Sequence, residues 1–241
     1  MPAKPAADNK TSSHPFFAFL KRLFLILFIG HLVYIVLLKW INPPITLTQA
    51  AALMRGEGLT RDYIAFSDMS QYAALAVIAA EDQQFADHNG FDWKSIEKAV
   101  AYNKRKPNRI KGASTLSQQT AKNVFLWQGR SWIRKGLEVY FTGMIELIWG
   151  KERILEMYLN VVEMGEGVYG IEAASITYFN KHASKLTRSE AAQIAAALPN
   201  PKKYTVKPKS RYVSKRAQWV MRQMRNLEGD KDIEDIIQHR N

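Results

Sequence analysis

The 241-residue sequence predicts a mainly α-helical domain preceded by one transmembrane helix. Apolar residues recur at helical spacing in three segments, residues 73–85, 132–149 and 151–160. Strand-like alternation is sparse and short, and glycines separate the helical segments as turns. One apolar run, residues 23–38, is long enough to be considered as a membrane span. Hydrophobic residues make up 47% of the chain and charged residues 23%, which excludes disorder along its whole length.

The amino-terminal segment indicates a membrane anchor that is retained. We predict a disordered cytoplasmic tail over residues 1–20, a transmembrane signal anchor over 21–41 and an extracytoplasmic domain over 45–241. The sixteen uncharged residues fall short of the roughly 20 that span a bilayer, so the flanking Lys21, Arg22 and Lys39 would have to snorkel to the headgroups.

Two other interpretations of this segment are a cleaved signal peptide and a buried core helix. The sequence KWINPPI after the run lacks the small residues of a cleavage site. The basic residues before the run place the amino terminus in the cytoplasm. We expect His31, inside the span, to be a tolerated polar residue that faces a partner helix.

Within the domain, the sequence predicts three helices, two from their capping residues and one from its apolar stripe. Ser70-Gln71 is a candidate cap for the Ala-rich segment that follows. Residues 187–190, with the sequence TRSE, have the form of a capping box before AAQIAAALP, and Pro199 would stop that helix. In residues 151–160, Ile154, Leu155, Tyr158 and Leu159 form an apolar stripe, which predicts a helix packed on the core.

The charge and cysteine content narrow the possible chemistry. The absence of cysteine excludes disulfides, thiolate metal sites and cysteine nucleophiles. The net charge of +12 predicts an anionic partner, such as nucleic acid, a membrane surface or a phosphorylated substrate. Residues 99–137 and 191–227 each contain nine Lys or Arg and no acid. Such blocks could be a solvated surface, but beside a membrane anchor they favour anionic headgroups or a phosphate-bearing lipid.

The first constellation that could carry chemistry is Glu81-Asp82-x-x-Phe-x-x-His88. A carboxylate at the end of an apolar helix is partly desolvated, and the resulting rise in its pKa suits a general acid or base. Asp82 or His88 could instead stiffen the following loop. Taken alone, this cluster is as typical of a metal site or a structural turn as of a catalytic site.

A second constellation, Gly112-Ala-Ser114-Thr-Leu-Ser-Gln-Gln119-x-x-Lys122-Asn123, opens a predicted helix. Glycine allows close backbone approach, and a helix amino terminus with a lysine binds phosphate readily. The third is Arg130-x-x-x-Arg134-Lys135-x-x-Glu138, whose spacing could place two guanidinium groups and a carboxylate on one helical stripe. A plain surface ion pair is the other interpretation of the third.

These segments together resemble the peptidoglycan glycosyltransferases of family 51. The motifs ED-x-x-F-x-x-H-x-G, G-x-ST-x-x-QQ-x-x-KN, RK-x-x-E and K-x-x-ILE-x-YLN follow in family order over residues 81–160. The similarity continues through residues 170–174 and 186–201, and Lys215-Arg216 loosely matches a fifth motif. Because no transpeptidase domain follows, we expect a monofunctional, membrane-anchored member of the kind found in Gram-negative bacteria.

The resemblance implies a lysozyme-like helical fold with a small mobile subdomain, roughly residues 90–130, that lines a long cleft. It implies polymerisation of lipid II into β-1,4 glycan strands for the cell wall, with inversion at the sugar and release of undecaprenyl diphosphate. The implied partners are lipid II, the lipid-linked nascent glycan, the inner membrane and other cell-wall synthesis or division proteins, and no nucleic acid.

The resemblance also implies roles for single residues. Glu81 would be the general base, and Glu138 the second glutamate, near the diphosphate or its metal. Diphosphate binding is implied for Lys122, Arg130, Gln119, Ser114, Arg134 and Asn123. A divalent cation, Mg²⁺ or Mn²⁺, is expected to be shared with the substrate diphosphate rather than held in a dedicated cage, and no organic cofactor is expected.

Alternative functions remain open from the sequence. A muramidase or lytic transglycosylase would share the fold and the glutamate, but its substrate carries no diphosphate for the basic residues to bind. A non-catalytic membrane scaffold would use the anchor and the basic surface equally well. Nucleic-acid binding is disfavoured by the predicted topology. A further hypothesis is that apolar residues near 126–127 and 132–133 touch the bilayer.

Overall fold

The computed structural model describes residues 15–108, 110–129 and 131–238. Within these ranges the chain forms eleven α-helices and one small sheet, so the predicted mainly α fold is confirmed. The helices are α1 Pro15–Leu37, α2 Leu47–Met54, α3 Gln71–Glu81, α4 Trp93–Arg105, α5 Leu116–Phe125, α6 Trp132–Ile148, α7 Lys151–Val161, α8 Ile171–Phe179, α9 Arg188–Ala197, α10 Arg211–Leu227 and α11 Lys231–Gln238. The strands are β1 Thr60–Arg61, β2 Glu163–Gly165 and β3 Val168–Tyr169, in the order β1-β3-β2, with β1 parallel and β2 antiparallel to β3.

The helix starts follow the capping chemistry of the sequence. Ser70 caps α3 by accepting from the Tyr72 N–H, and Thr187 with Glu190 forms a complete capping box at α9, as predicted. Another capping box joins Thr115 and Gln118 at the start of α5. This cap fixes where α5 begins and therefore which of its side chains face the site.

The core is built around α3, which packs against α7, α9, α10 and α11. Alanines on α3 and α9 bring these helices close together, since a methyl group adds little to the distance between two helix axes. The predicted stripe on α7 is confirmed, because Ile154, Leu155, Tyr158 and Leu159 are all fully buried. Each buried side chain of this size contributes roughly 1.5–3 kcal/mol, so α7 is a strong structural support for whatever packs on it.

Gly170, in the connection between α7 and α8, occupies a turn that requires glycine. Gly170 has a φ of 85°, and a Cβ there would lie 2.6 Å from the Asn160 carbonyl oxygen. The side chain of Asn160 in turn bonds to the backbone N–H and C=O of Ile64. This turn joins α8 and the small sheet to the end of α7.

Helix α1 is the apolar helix that the sequence predicts. Phe16–Leu37 is long and apolar enough to cross a membrane and is compatible with a single-pass anchor. The helix begins at Pro15, so residues 15–20 of the predicted tail are helical, because apolar residues 16–20 continue the span. Residues 1–14 lie outside the described residues. His31 faces a partner helix as expected, since its Nε2 lies 2.7 Å from the Tyr140 hydroxyl on α6.

The segment expected to form a small subdomain divides into two parts. Helix α4 has no buried residue, whereas most of α5 is buried against α6 and α7. The exposed part of residues 90–130 is therefore α4 with its flanking loops. Of the residues expected near the bilayer, Leu126 is buried, but Trp132 and Ile133 are 92% and 76% exposed. Trp132 and Ile133 thus remain free for such a contact.

Candidate active site

Glu81 is the last residue of α3, where an almost wholly buried helix reaches a cavity. Burial raises the pKa of the Glu81 carboxyl above its ordinary value of 4.5, and the charge of Asp82 acts in the same direction. A hydrogen bond from Gln119 and the charges of Arg216 and Lys122 oppose this shift. The carboxylate is thus a stronger proton acceptor than one in water.

A fixed amide holds Glu81 in place. The Nε2 of Gln119 donates to Oε2 of Glu81 at 3.0 Å, and the Tyr158 hydroxyl donates to Oε1 of Gln119 at 3.2 Å. Tyr158 is fully buried, and desolvation together with the Glu81 charge raises its pKa well above 10, so it remains a donor. With the amide placed this way, its nitrogen donates to the carboxylate and its oxygen accepts from the Tyr158 hydroxyl.

The neighbouring Asp82 joins the end of α3 to the start of α5. Its carboxylate accepts from the Leu116 N–H at 2.8 Å and from Nε2 of His88 at 3.1 Å. His88 accepts the Gly90 N–H on its other ring nitrogen, so Nε2 is the protonated nitrogen. Of the interpretations weighed for this cluster, the stiffened loop is the one that the structure shows for Asp82 and His88. The effect is to hold Glu81 against α5.

The cavity beside Glu81 has a volume of about 1390 Å³ and runs from α3 to α4. Its far wall is basic and consists of Lys98, Arg105, Lys106 and Lys111. Tyr102 lies between two of these, with the Lys111 ammonium 4.4 Å from its ring centroid. The cavity therefore pairs one carboxylate of raised pKa with a wall that attracts anions.

A smaller pocket of about 460 Å³ lies on the other side of Gln119, and Ser114 and Gln119 line both cavities. Lys122 lines this pocket. Burial lowers the pKa of Lys122 below its ordinary value, and the Glu138 charge opposes the shift. Among the described residues, no side chain forms a hydrogen bond or an ion pair with the Lys122 ammonium. A half-buried ammonium without such a partner is suited to bind an anion.

Glu138 forms the back of the smaller pocket. It is 3% exposed and pairs with Arg134 at 2.8 Å, one helical turn earlier on α6, and with Lys135. The carboxylate therefore holds two cations at the rim of the pocket. The surface ion pair that the spacing also allowed is excluded for Arg134, because its side chain is only 11% exposed.

The family model described as Transglycosylase matches residues 48–225, which include every residue that lines the two cavities. The chain belongs to the transglycosylase family. A protein of Escherichia coli named biosynthetic peptidoglycan transglycosylase is 59% identical over 169 residues, 70% of each chain. A protein of the same name from Yersinia pseudotuberculosis is 60% identical over 168 residues, again 70% of each chain.

The transglycosylase site brings together most of the residues that the sequence singled out. Glu81, Gln119 and Ser114 line the larger cavity, and Ser114, Gln119, Lys122, Arg134 and Glu138 line the smaller one. Arg130 lies outside the described residues, so its expected role stays a prediction.

Asn123 is placed differently from the other predicted residues. It lines neither cavity. Its side-chain oxygen accepts a hydrogen bond from Nε2 of Gln128 at 3.3 Å. Gln128 itself lines the smaller pocket and also donates to Thr48. Asn123 thus bonds to a residue of the pocket wall, and its expected role at the diphosphate stays a prediction.

Arg216 is a site residue that the sequence analysis did not select. It lies on α10, lines the larger cavity, donates to the Ala80 carbonyl at 3.1 Å and stacks 3.8 Å from the Trp219 ring centroid. Its Nε is buried and has no hydrogen-bond partner within the described part of the chain. The Lys215-Arg216 pair was noted in the sequence only as a loose match, and that pair was the available signal.

The donor set of this transglycosylase limits how a divalent cation could bind. Among the described residues, no group of three or more His, Asp or Glu side chains is placed to hold a metal. Glu138 is the carboxylate of the smaller pocket, and its charge is already paired with Arg134 and Lys135. The protein could therefore contribute one oxygen ligand to an ion whose other ligands come from a substrate.

Proposed function

We propose that the protein polymerises lipid II into β-1,4 glycan strands and that Glu81 is the general base. Family membership and the names of its relatives support peptidoglycan glycan-chain polymerisation. The observation that carries the residue assignment is the position of Glu81. Its carboxylate lines the larger cavity and is held by Gln119, the residue that also lines the smaller pocket where Lys122 lies.

In this proposal the acceptor sugar occupies the larger cavity, with its 4-hydroxyl facing Glu81. The hydroxyl oxygen attacks the anomeric carbon of the donor, the bond from that carbon to the diphosphate breaks, and the hydroxyl proton passes to Glu81. A single displacement inverts the configuration at the anomeric carbon. The raised pKa of Glu81 favours proton acceptance near neutral pH.

The smaller pocket would hold the diphosphate of the lipid-linked growing strand. Negative charge develops on this group as its bond to the sugar breaks, and Lys122 and Arg134 are placed to stabilise it. Lys122 supplies a point charge, whereas a guanidinium group can bind two phosphate oxygens at once. The bound diphosphate would also favour the charged form of Lys122, against the effect of burial.

We propose further that a divalent cation, Mg²⁺ or Mn²⁺, would be shared with the diphosphate and held on the protein side by Glu138. Such an ion, when bound, would neutralise part of the diphosphate charge. The expected location is the inner membrane, with the amino terminus cytoplasmic and the domain periplasmic, where other cell-wall synthesis proteins could be met.

The test is polymerisation of labelled lipid II by the purified full-length protein and its Glu81→Gln variant. We expect lengthening glycan strands from the wild type and a loss of about a hundredfold or more in the variant, with lipid II binding largely retained. Glu166→Gln, at an exposed glutamate, is the matched control and should retain activity. Release of soluble fragments from isolated peptidoglycan, without strand growth, would favour a glycan-cleaving enzyme instead.

A further inference from the structure

The end of α1 is built into the catalytic domain. Ile35 and Leu38 are fully buried and belong to the same hydrophobic cluster as the helices around α3. The indole Nε1 of Trp149 donates to the Ile35 carbonyl at 2.8 Å. With the contact between His31 and Tyr140, these interactions cover the last two turns of the helix. The junction is therefore a packed interface and not a flexible stalk.

One side chain provides most of the polar contacts at this junction. Arg153 of α7 donates from Nε and Nη2 to the Leu38 carbonyl at 3.0 and 2.9 Å, and from Nη2 to the Ile41 carbonyl at 2.8 Å. Nη2 also donates to the side chain of Asn42 at 3.0 Å. The remaining terminal nitrogen, Nη1, pairs with Glu156 at 2.7 Å.

The position of this guanidinium group has a clear physical reason. The Leu38 and Ile41 carbonyls lie just past the last residue of α1, and a cation at the carboxyl end of a helix interacts favourably with the helix dipole. The Arg153 side chain is only 10% exposed, so its bonds are shielded from water. Glu156 accepts the Phe66 N–H as well, which joins the same network to the segment before α3.

The helix that carries Arg153 also carries the support of the base. Tyr158, on the same helix α7, donates to Gln119, which in turn holds Glu81. The apolar residues of α7 between Arg153 and Tyr158 pack on the core. The contacts that hold the anchor and those that support Glu81 therefore come from the same helix. Any loosening at Arg153 would change the placement of the cavity relative to the anchor.

We propose that Arg153 is a positioning residue that locks the anchor helix to the catalytic domain and so fixes the height and orientation of the Glu81 cavity relative to the bilayer. The proposal rests on the proposed function in one respect, which is that the substrate is carried by the membrane. The lock has no contact with the reacting atoms and acts only on how a membrane-borne substrate reaches them.

The first test measures the lock without any substrate. The chain has no cysteine, so Leu27→Cys on the anchor and Ile176→Cys on α8, both exposed, give one clean pair of spin-label sites. In the full-length protein in lipid nanodiscs we expect a single narrow distance distribution, which Arg153→Ala broadens. Arg222→Ala, at an exposed arginine of α10, is the matched control and should leave the distribution unchanged. An unchanged distribution in Arg153→Ala would overturn the proposal.

The second test separates positioning from general damage. Each variant is assayed with long-chain lipid II in the same nanodiscs and with a short-chain, water-soluble analogue. For Arg153→Ala we expect KM for the membrane-borne substrate to rise about tenfold with kcat retained, and kcat/KM for the soluble analogue to stay within about twofold. An equal loss on both substrates, or no loss on either, would refute the lock. If the wild type itself polymerised neither substrate, the proposed function would fail while the distance measurement would still judge the lock.

Discussion

Gln119 donates a hydrogen bond from its side-chain amide to the Glu81 carboxylate at 3.0 Å, across 38 residues of sequence. The bond favours the charged form of a carboxyl group whose pKa is raised by burial, so it opposes that rise. Gln119 also lines both cavities, so the residue between them is one that lowers the Glu81 pKa. The pKa of Glu81 therefore depends on how firmly this amide is held.

Tyr158→Phe tests that dependence. The substitution removes the donor that orients the Gln119 amide and leaves the packing of α7 nearly unchanged. We expect a weaker hydrogen bond to Glu81, a further rise in the Glu81 pKa and a loss of up to about tenfold in kcat/KM near neutral pH. A base acts when it is deprotonated, so the acidic limb of the pH–rate profile should move to higher pH. Tyr178→Phe, at a tyrosine bonded to the Met164 carbonyl, is the control and should leave the limb in place.

Several parts of this site could be predicted from the sequence, and others could not. Glu81 and Lys122 follow from local spacing, because each stands at a defined point of a helix. The contact of Gln119 with Glu81 depends on how α3 and α5 pack, and no local pattern contains it. Tyr158 was correctly predicted as core, but its hydroxyl role depends on which residue faces it. Asn123 was expected at the diphosphate, and only the fold shows its side chain bonded to Gln128.

Glu81→Gln should stabilise the folded protein at neutral pH. Because the folded-state pKa of Glu81 is raised, the folded state binds the proton more tightly than the unfolded state, and ionised Glu81 disfavours folding. This cost is absent below the ordinary carboxyl pKa, grows as pH rises through the folded-state pKa and is complete above it. The thermal midpoint of the variant should therefore exceed that of the wild type at pH 7, and the two should converge near pH 4. A difference that persisted unchanged at pH 4 would contradict the raised pKa.

Lys122→Ala should weaken both binding and turnover. Charge-assisted hydrogen bonds to diphosphate contribute roughly 1.5–3 kcal/mol each, so we expect lipid II affinity to fall by about ten- to a hundredfold. Binding of fluorescent lipid II to the full-length protein measures the change directly. Lys185→Ala, at an exposed lysine remote from both cavities, is the matched control. Equal affinity in the wild type and Lys122→Ala would remove Lys122 from the diphosphate site.

Arg216→Ala tests the residue that only the fold brought to the site. The Arg216 charge lowers the Glu81 pKa, so its removal should raise that pKa further and shift the acidic limb of the pH–rate profile to higher pH. Arg216→Lys keeps a positive charge but loses the stacking on Trp219, so it should shift the limb less than alanine does. The Lys122 charge also lowers the Glu81 pKa, so a variant with both Arg216→Ala and Lys122→Ala should show a larger shift of this limb than either single variant. A profile in Arg216→Ala that superimposes on that of the wild type would limit Arg216 to its bond with Ala80 and its packing on Trp219.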